Sequence, residues 1–405
     1  MGLTMSQRKA VTRQTARRYQ EAGKTEKARI LGELCVLTGW HRDHARKALR
    51  TAVRSEPITT QRKPRARTYG PEVLAALLKV WASLNAPCGK RLAPVLPTVV
   101  ERLIACGELR ISTETRYQLT RISAATIDRL LAPHKALYRP QGRSMTKPGS
   151  LLKSQIPIRT WADWDDVQPG FVEIDLVCHD GGNPRGEYAC TLTVTDIATG
   201  WTETHAVRNK AYKWVGAALT EIVEAFPFPI VGIDSDNGAE FINHHLLAFC
   251  TEREITFTRS RPGHKNDGAH VEQKNWTVVR QTVGYHRYVG HTELDVLNGI
   301  YDLLRLQTNF FLPQQKLISK TRVGAKIVKK HDTAQTPYQR TLTHPEVDIA
   351  DKAALTGQYT TLNPAAIQRD ILALSHALGQ LVTANDLPHH IHPTTARLLL
   401  AGISK

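Results

Sequence analysis

Apolar residues recur at helical spacing through the first third of the chain. Ala28, Ile30, Leu31, Leu34, Cys35 and Leu37 form one stripe, which Thr38-Gly39-Trp40 interrupts. The pattern predicts two helices joined by a tight turn, with Gly39 placed for a left-handed cap. The second helix, about residues 41–50, carries His41, Arg42, His44, Arg46, Lys47 and Arg50. Its outline suits a helix-turn-helix with a basic helix for the major groove, or a small bundle with a solvated basic face. A second helical segment covers residues 72–138. Val73, Leu74, Leu77, Leu78 and Trp81 line one stripe, and Val99, Val100, Leu103 and Ile104 another. Ser123 then opens a helix through Ile127, Leu130 and Leu131. A helix near 94–106 paired with one near 123–133 is again compatible with a helix-turn-helix.

The period changes to two at residue 171. In FVEIDLV, Phe171, Glu173, Asp175 and Val177 share one face, and Val172, Ile174 and Leu176 the other. Two more strands, YACTLTVTD and TETHAV, follow after short turns and imply an antiparallel meander. A helix (212–226), a short apolar strand (229–234), a helix (INHHLLAFCTERE), a strand (ITFTRS) and a last helix after the loop RPGHKNDG complete the segment. The order β-β-β-α-β-α-β-α predicts a mixed sheet with helices packed on it. Beyond residue 290, the stretch KLISKTRVGAKIVKK is basic, lacks an acidic residue and alternates as strands do. It suits a small β-rich DNA-binding element or a basic linker. Residues 364–383 form an amphipathic helix with Pro364 at its start and Ile367, Ile371, Leu374, Leu378 and Leu381 on one face.

Charge divides the chain the same way. The 405 residues carry a formal net charge of +17. Residues 1–150 hold 29 Lys+Arg against 10 Asp+Glu, whereas residues 151–290 hold 13 against 18. A basic arm on an acidic centre points to a polyanionic partner gripped by one part and handled by carboxylates in another. The linkers 55–71 and 139–150 are rich in Pro and polar residues, and the first contributes Arg65 and Arg67. No apolar run approaches a membrane span, and the N-terminus has no apolar segment of a secretory signal. The six cysteines include no CxxC pair, so neither a disulfide framework nor a zinc ribbon is expected. His41 and His44, without such a pair, suit surface or phosphate-facing positions. A cytoplasmic, nucleoid-associated protein is expected.

Three carboxylates stand out. Asp175 lies within an apolar strand, where an unpaired charge is costly. Asp236 follows the apolar strand at the turn DNG, and Glu272 sits in the first turn of the last helix, 35 residues beyond Asp236. Hard oxygen ligands from separate elements, meeting at one sheet edge, are what two divalent cations need for phosphoryl transfer. Glu173 competes with Asp175, and Asp234 with Asp236. Asp196 suits a turn, and Glu240 a helix start.

EIDLV, DSDNGAEF and RPGHKNDGAHVEQKN together resemble the catalytic core of the DDE transposase and retroviral-integrase superfamily, over about residues 170–290. The resemblance implies an RNase H-like core with Asp175, Asp236 and Glu272 as catalytic carboxylates holding two Mg²⁺ or Mn²⁺ ions. It implies cutting and joining of double-stranded DNA, both element ends and target, by a homo-oligomer, and leaves open whether an ATPase helper takes part. The expected architecture is multidomain. Helix-turn-helix units at 1–54 and 72–138 precede an α/β core at 165–290, and a small C-terminal β-rich and helical region follows at 291–405. Expected DNA contacts are Arg42, Arg46, Lys47, Arg50, Arg65, Arg67, Lys265, Lys274, Arg280, Lys320 and Arg322. Trp276 and Arg280, four and eight residues after Glu272, are expected on its face, Arg280 gripping a phosphate and Trp276 stacking on a base or packing in the core. A DNA-binding regulator of transposase descent that no longer cuts is the alternative. A nuclease acting on RNA–DNA hybrids would share the fold but not the helical arms.

Overall fold

The computed structural model describes residues 3–54, 68–135, 168–235, 241, 243–259 and 269–382. The chain divides into two compact units, Met1–Thr68 and Tyr69–Lys405.

The first unit is a three-helix bundle: α1 (Met5–Glu21), α2 (Lys24–Thr38) and α3 (Arg42–Arg54). A capping box starts α1, in which the Thr4 hydroxyl accepts from the Gln7 amide and the Gln7 side chain accepts from the Thr4 amide. Gly39 ends α2 at φ +68°, a conformation that disfavours side chains with a Cβ. Ala16, Leu31, Leu34, Ala45 and Leu49 form the bundle's core. Burial of Ala45 and Leu49 turns Arg42, Lys47 and Arg50 outward.

The second unit holds a five-stranded sheet in the order β3-β2-β1-β4-β5. Its strands are β1 (Phe171–Cys178), β2 (Cys190–Asp196), β3 (Thr202–Val207), β4 (Gly232–Ser235) and β5 (Thr256–Arg259). The first three pair antiparallel, and β1-β4 and β4-β5 pair parallel. This is the mixed sheet that the strand and helix order predicts. Helices α8 (Tyr212–Ala225) and α9 (His244–Glu252) make the crossovers. Asp196 closes the β2-β3 turn, accepting from the Thr199 amide and hydroxyl and from the Gly170 amide.

Edge strand β3 is protected by α12 (His291–Phe310). Asn309 both donates to the Thr202 carbonyl and accepts from its amide, each at 2.9 Å, and Asn298 does the same at Ala206. Two side-chain amides thus satisfy backbone groups that an edge leaves open.

The second helical segment belongs to this same unit. It comprises α4 (Pro71–Ser83), α5 (Gly89–Ala105), α6 (Thr113–Thr120) and α7 (Ala124–Lys135). The chain ends, among the described residues, with α13 (Pro337–Thr343), α14 (Ile349–Thr361) and α15 (Pro364–Gln380). Arg102 on α5 donates to the Leu362 carbonyl at 2.6 Å, and Glu108 pairs with Arg369 at 2.7 Å. The Arg369 guanidinium holds the Glu108 carboxyl below its ordinary range. Segments about 260 residues apart in sequence are therefore bonded together, where separate flanking domains had been expected. Helix α6 has no counterpart in the sequence reading; only Thr115 and Leu119 are buried along it, too few for a stripe.

Candidate active site

Strand β1 presents Glu173 and Asp175 on one face, beside the helix that follows β5 in the chain. That helix begins as α10 (Ala269–Lys274), continues as a π-helical segment, Asn275–Arg280, and ends as α11 (Gln281–Val283). Each carboxylate meets it differently. Glu173 is buried, and its Oε2 accepts from the backbone amides of His270 at 2.9 Å and Val271 at 3.1 Å. It satisfies first-turn donors that a helix start leaves open. Asp175 is half-buried; its Oδ2 accepts from Asn275 Nδ2 at 2.5 Å and its Oδ1 from the Leu176 amide at 2.7 Å.

Glu272 is exposed, three residues before Asn275 and so on the same helical face. The contact at Asp175 therefore brings that face of the helix to β1. Thr193 lies directly across from Asp175 on β2. Thr193 Oγ1 and Asn275 Oδ1 are both buried without a hydrogen-bond partner. Asp175 with the unsatisfied Thr193 and Asn275 oxygens beside it is a group of hard oxygens, of the kind a divalent cation or its water shell takes. Among the described residues, no three His, Cys, Asp or Glu side chains cluster tightly enough to hold a metal.

On β4, Asp234 is buried and accepts from the Thr258 hydroxyl at 2.6 Å on the neighbouring strand. The strand ends at Ser235, paired with Ile174, the residue before Asp175. Asp236 is next in the chain and lies outside the described residues, as do Arg65, Arg67 and Lys265.

Residues 167–265 match the integrase core domain family. The uncharacterized protein y4rM of Sinorhizobium fredii (strain NBRC 101917 / NGR234) is 40% identical over 338 residues, covering 84% of this chain and 96% of its own length. The chain belongs to the DDE transposase and integrase superfamily. Similar solved structures of this superfamily include the catalytic core domain of BIV integrase, at 14% identity and a TM-score of 0.29, covering 42% of this chain and 91% of that one. The HTLV-2 integrase catalytic core in complex with magnesium is 15% identical with a TM-score of 0.28, covering 37% of this chain and 93% of its own.

Two basic residues expected at the DNA surface of this superfamily member are internal instead. Lys274 is buried, donates to the Gly200 carbonyl at 3.2 Å, and is pushed down to about 7 by loss of solvent. Arg280 is buried, donating to the carbonyls of Cys178 at 2.7 Å and Gly284 at 3.2 Å. The physical reason for Arg280 is the π-helical segment. Its i→i+5 bonding widens the turn, so a projection eight residues on from Glu272 no longer holds its face. Trp276, inside that segment, is 38% exposed and is not a core residue.

The expected contacts that remain among the described residues are at the surface. Arg42, Lys47 and Arg50 are exposed, and Arg46 is tied to Asp43 at 3.0 Å. Lys320 and Arg322 are exposed on a β-hairpin. Asn275 was missed from sequence. The available signal was its position one helical turn after Glu272.

Proposed function

We propose that the protein is a DNA transposase whose Asp175, Asp236 and Glu272 hold two divalent cations, Mg²⁺ or Mn²⁺, for cleavage and joining of DNA strands. The observation that carries this reading is the Asn275–Asp175 bond, which draws the face of the helix bearing Glu272 to the strand bearing Asp175. The bound cations would supply an activated oxygen nucleophile and neutralise charge at the phosphate. Asp175, Asp236 and Glu272 would hold them, and Asn275, with the Leu176 amide, fixes the orientation of the Asp175 carboxylate.

End recognition is assigned to the helical arms. In the first unit, α2, the Gly39 turn and α3 form a helix-turn-helix with Arg42, Lys47 and Arg50 as its phosphate and base contacts. In the second segment the matching pair is α6 and α7, joined through Arg121-Ile122-Ser123 with Ile122 buried and Arg129 exposed. This pairing differs from the α5–α7 pairing that the sequence suggested in that α6 directly precedes the turn into α7. Double-stranded DNA, as element ends and as target, is the proposed substrate, acted on by a homo-oligomer.

The test is to incubate the protein with Mg²⁺ and DNA flanking its own gene, and to map the nicks. Asp175→Asn and Asp236→Asn are expected to abolish nicking while leaving DNA binding intact. Arg42→Ala with Lys47→Ala and Arg50→Ala is expected to weaken binding and its salt dependence. Retained nicking in either Asp variant would reject the site. DNA binding without nicking in the unsubstituted protein would favour the non-cutting regulator.

A further inference from the structure

After α12 the chain forms a two-stranded ribbon, β6 (Leu317–Val323) and β7 (Lys326–His331). Every residue of both strands is exposed, so among the described residues neither face of the ribbon is packed. Gly324 opens its two-residue turn at φ +59°, as the first position of a type II′ turn requires.

The register sorts its side chains. Lys320 faces Lys329 and Arg322 faces Ile327 on one side; Ser319 faces Lys330, Thr321 faces Val328 and Val323 faces Lys326 on the other. Directly opposed like charges destabilise an antiparallel pair. A lone two-stranded hairpin is at best marginal in water. Residues 316–331 contain no carboxylate to relieve the repulsion. The next one, Asp332, is engaged at the root, where it accepts from the Lys316 amide at 2.7 Å and pairs with Arg340 at 2.6 Å. Gln314 and Gln335 close the root through paired backbone bonds, and Lys316 Nζ donates to the Ala198 carbonyl in the β2-β3 turn. The ribbon is thus a rooted arm with an uncompensated cationic face.

We propose that the β6-β7 ribbon is a DNA-gripping arm whose Lys320, Arg322 and Lys329 face lies against the backbone phosphates of a duplex. This rests on the proposed DNA substrate and adds a mode of contact to it. Charge complementarity selects the occupant. A second copy of the ribbon would set cations against cations, whereas phosphates neutralise the Lys320–Lys329 repulsion. Shape agrees, because the major groove of DNA admits a two-stranded ribbon. The exposed Ile327, paired with Arg322 on that same face, supplies apolar contact near the tip.

The experiment uses the full chain and a short fluorescent duplex of arbitrary sequence, with affinity measured by anisotropy across a salt series. Each lost phosphate contact lowers the slope of log affinity against log salt by about 0.9. The variant K320A/R322A/K329A is expected to lose about two to three units of slope by that same measure. Ser319→Ala with Thr321→Ala, on the opposite face, is expected to keep the slope. Amide exchange in residues 317–331 is expected to slow when duplex is added. An unchanged slope in the triple variant, with unchanged melting, overturns the proposal. So does a change in its sedimentation without DNA at constant slope, which would make the ribbon a subunit contact. Failure of the unsubstituted protein to bind any duplex would remove the DNA reading itself, a result separate from failure of the ribbon alone.

Discussion

Asn275 donates from Nδ2 to Asp175 Oδ2 at 2.5 Å across 100 residues of sequence, while its own Oδ1 stays buried without a partner. The amide serves as a brace between the strand and the helix that carries Glu272. Groups that orient a metal ligand typically cost about 10–100-fold in affinity or activity when lost. Asn275→Ala is accordingly expected to lower Mg²⁺-dependent nicking by about that factor. It should raise the Mg²⁺ concentration needed for half-maximal rate and leave DNA affinity unchanged. Nicking at the unsubstituted rate and Mg²⁺ requirement would remove Asn275 from the site.

Glu173 and Asp175 share a strand face but do different work, and substitution separates them. Glu173→Ala leaves the His270 and Val271 amides without their acceptor. It is expected to destabilise the fold by about 1–3 kcal/mol, read as a lower denaturant midpoint. Asp175→Asn keeps a side-chain oxygen that can accept from Asn275, so it is expected to lower the midpoint less than Glu173→Ala does, and to lose nicking. The reverse pattern would exchange their roles.

Arg280 holds two carbonyls inside the core, so its removal is a stability event. Arg280→Met leaves both carbonyls without their charged donor and is expected to cost about 1–3 kcal/mol. Thermal or denaturant unfolding reports it. The salt slope of DNA binding should be unchanged, and a reduced slope would return Arg280 to the DNA surface.

Burial pushes the Glu203 carboxyl up to about 7, although Arg305 at 3.0 Å and the Trp201 indole N–H at 2.8 Å oppose the shift. A raised folded value means that the native state binds more protons than the unfolded chain. Its contribution to stability is full below the unfolded value near 4.5 and is lost as pH rises through about 7. Glu203→Gln is expected to flatten the fall in unfolding free energy across that window. An identical pH profile in the variant would show that Glu203 titrates normally.

Much of the fold was legible because it is written in local periodicity. The two-residue alternation of 171–177, the apolar stripe of 364–383 and the Gly39 break each depend on neighbours a few positions away. Helix α6 escaped because eight residues with two buried positions carry no period. The carboxylates were legible as candidates, since a charge in an apolar strand is costly wherever it lies. Their division of labour was not. Alternation puts Glu173 and Asp175 on the same face and stops there.

By itself, the sequence determined the element order, the basic arm, the acidic core and the short set of carboxylates worth testing. Tertiary structure decided which carboxylate caps a helix, which is braced by Asn275, and that Lys274 and Arg280 are internal. It also decided that the helices of 71–135 join the C-terminal helices in one unit while both strands of the basic ribbon stay exposed. The reason is that burial and hydrogen-bond partners are set by segments far apart in the chain. Glu173 finds its donors 97 and 98 residues away, and Arg102 its acceptor 260 residues away. No local pattern encodes such a distance.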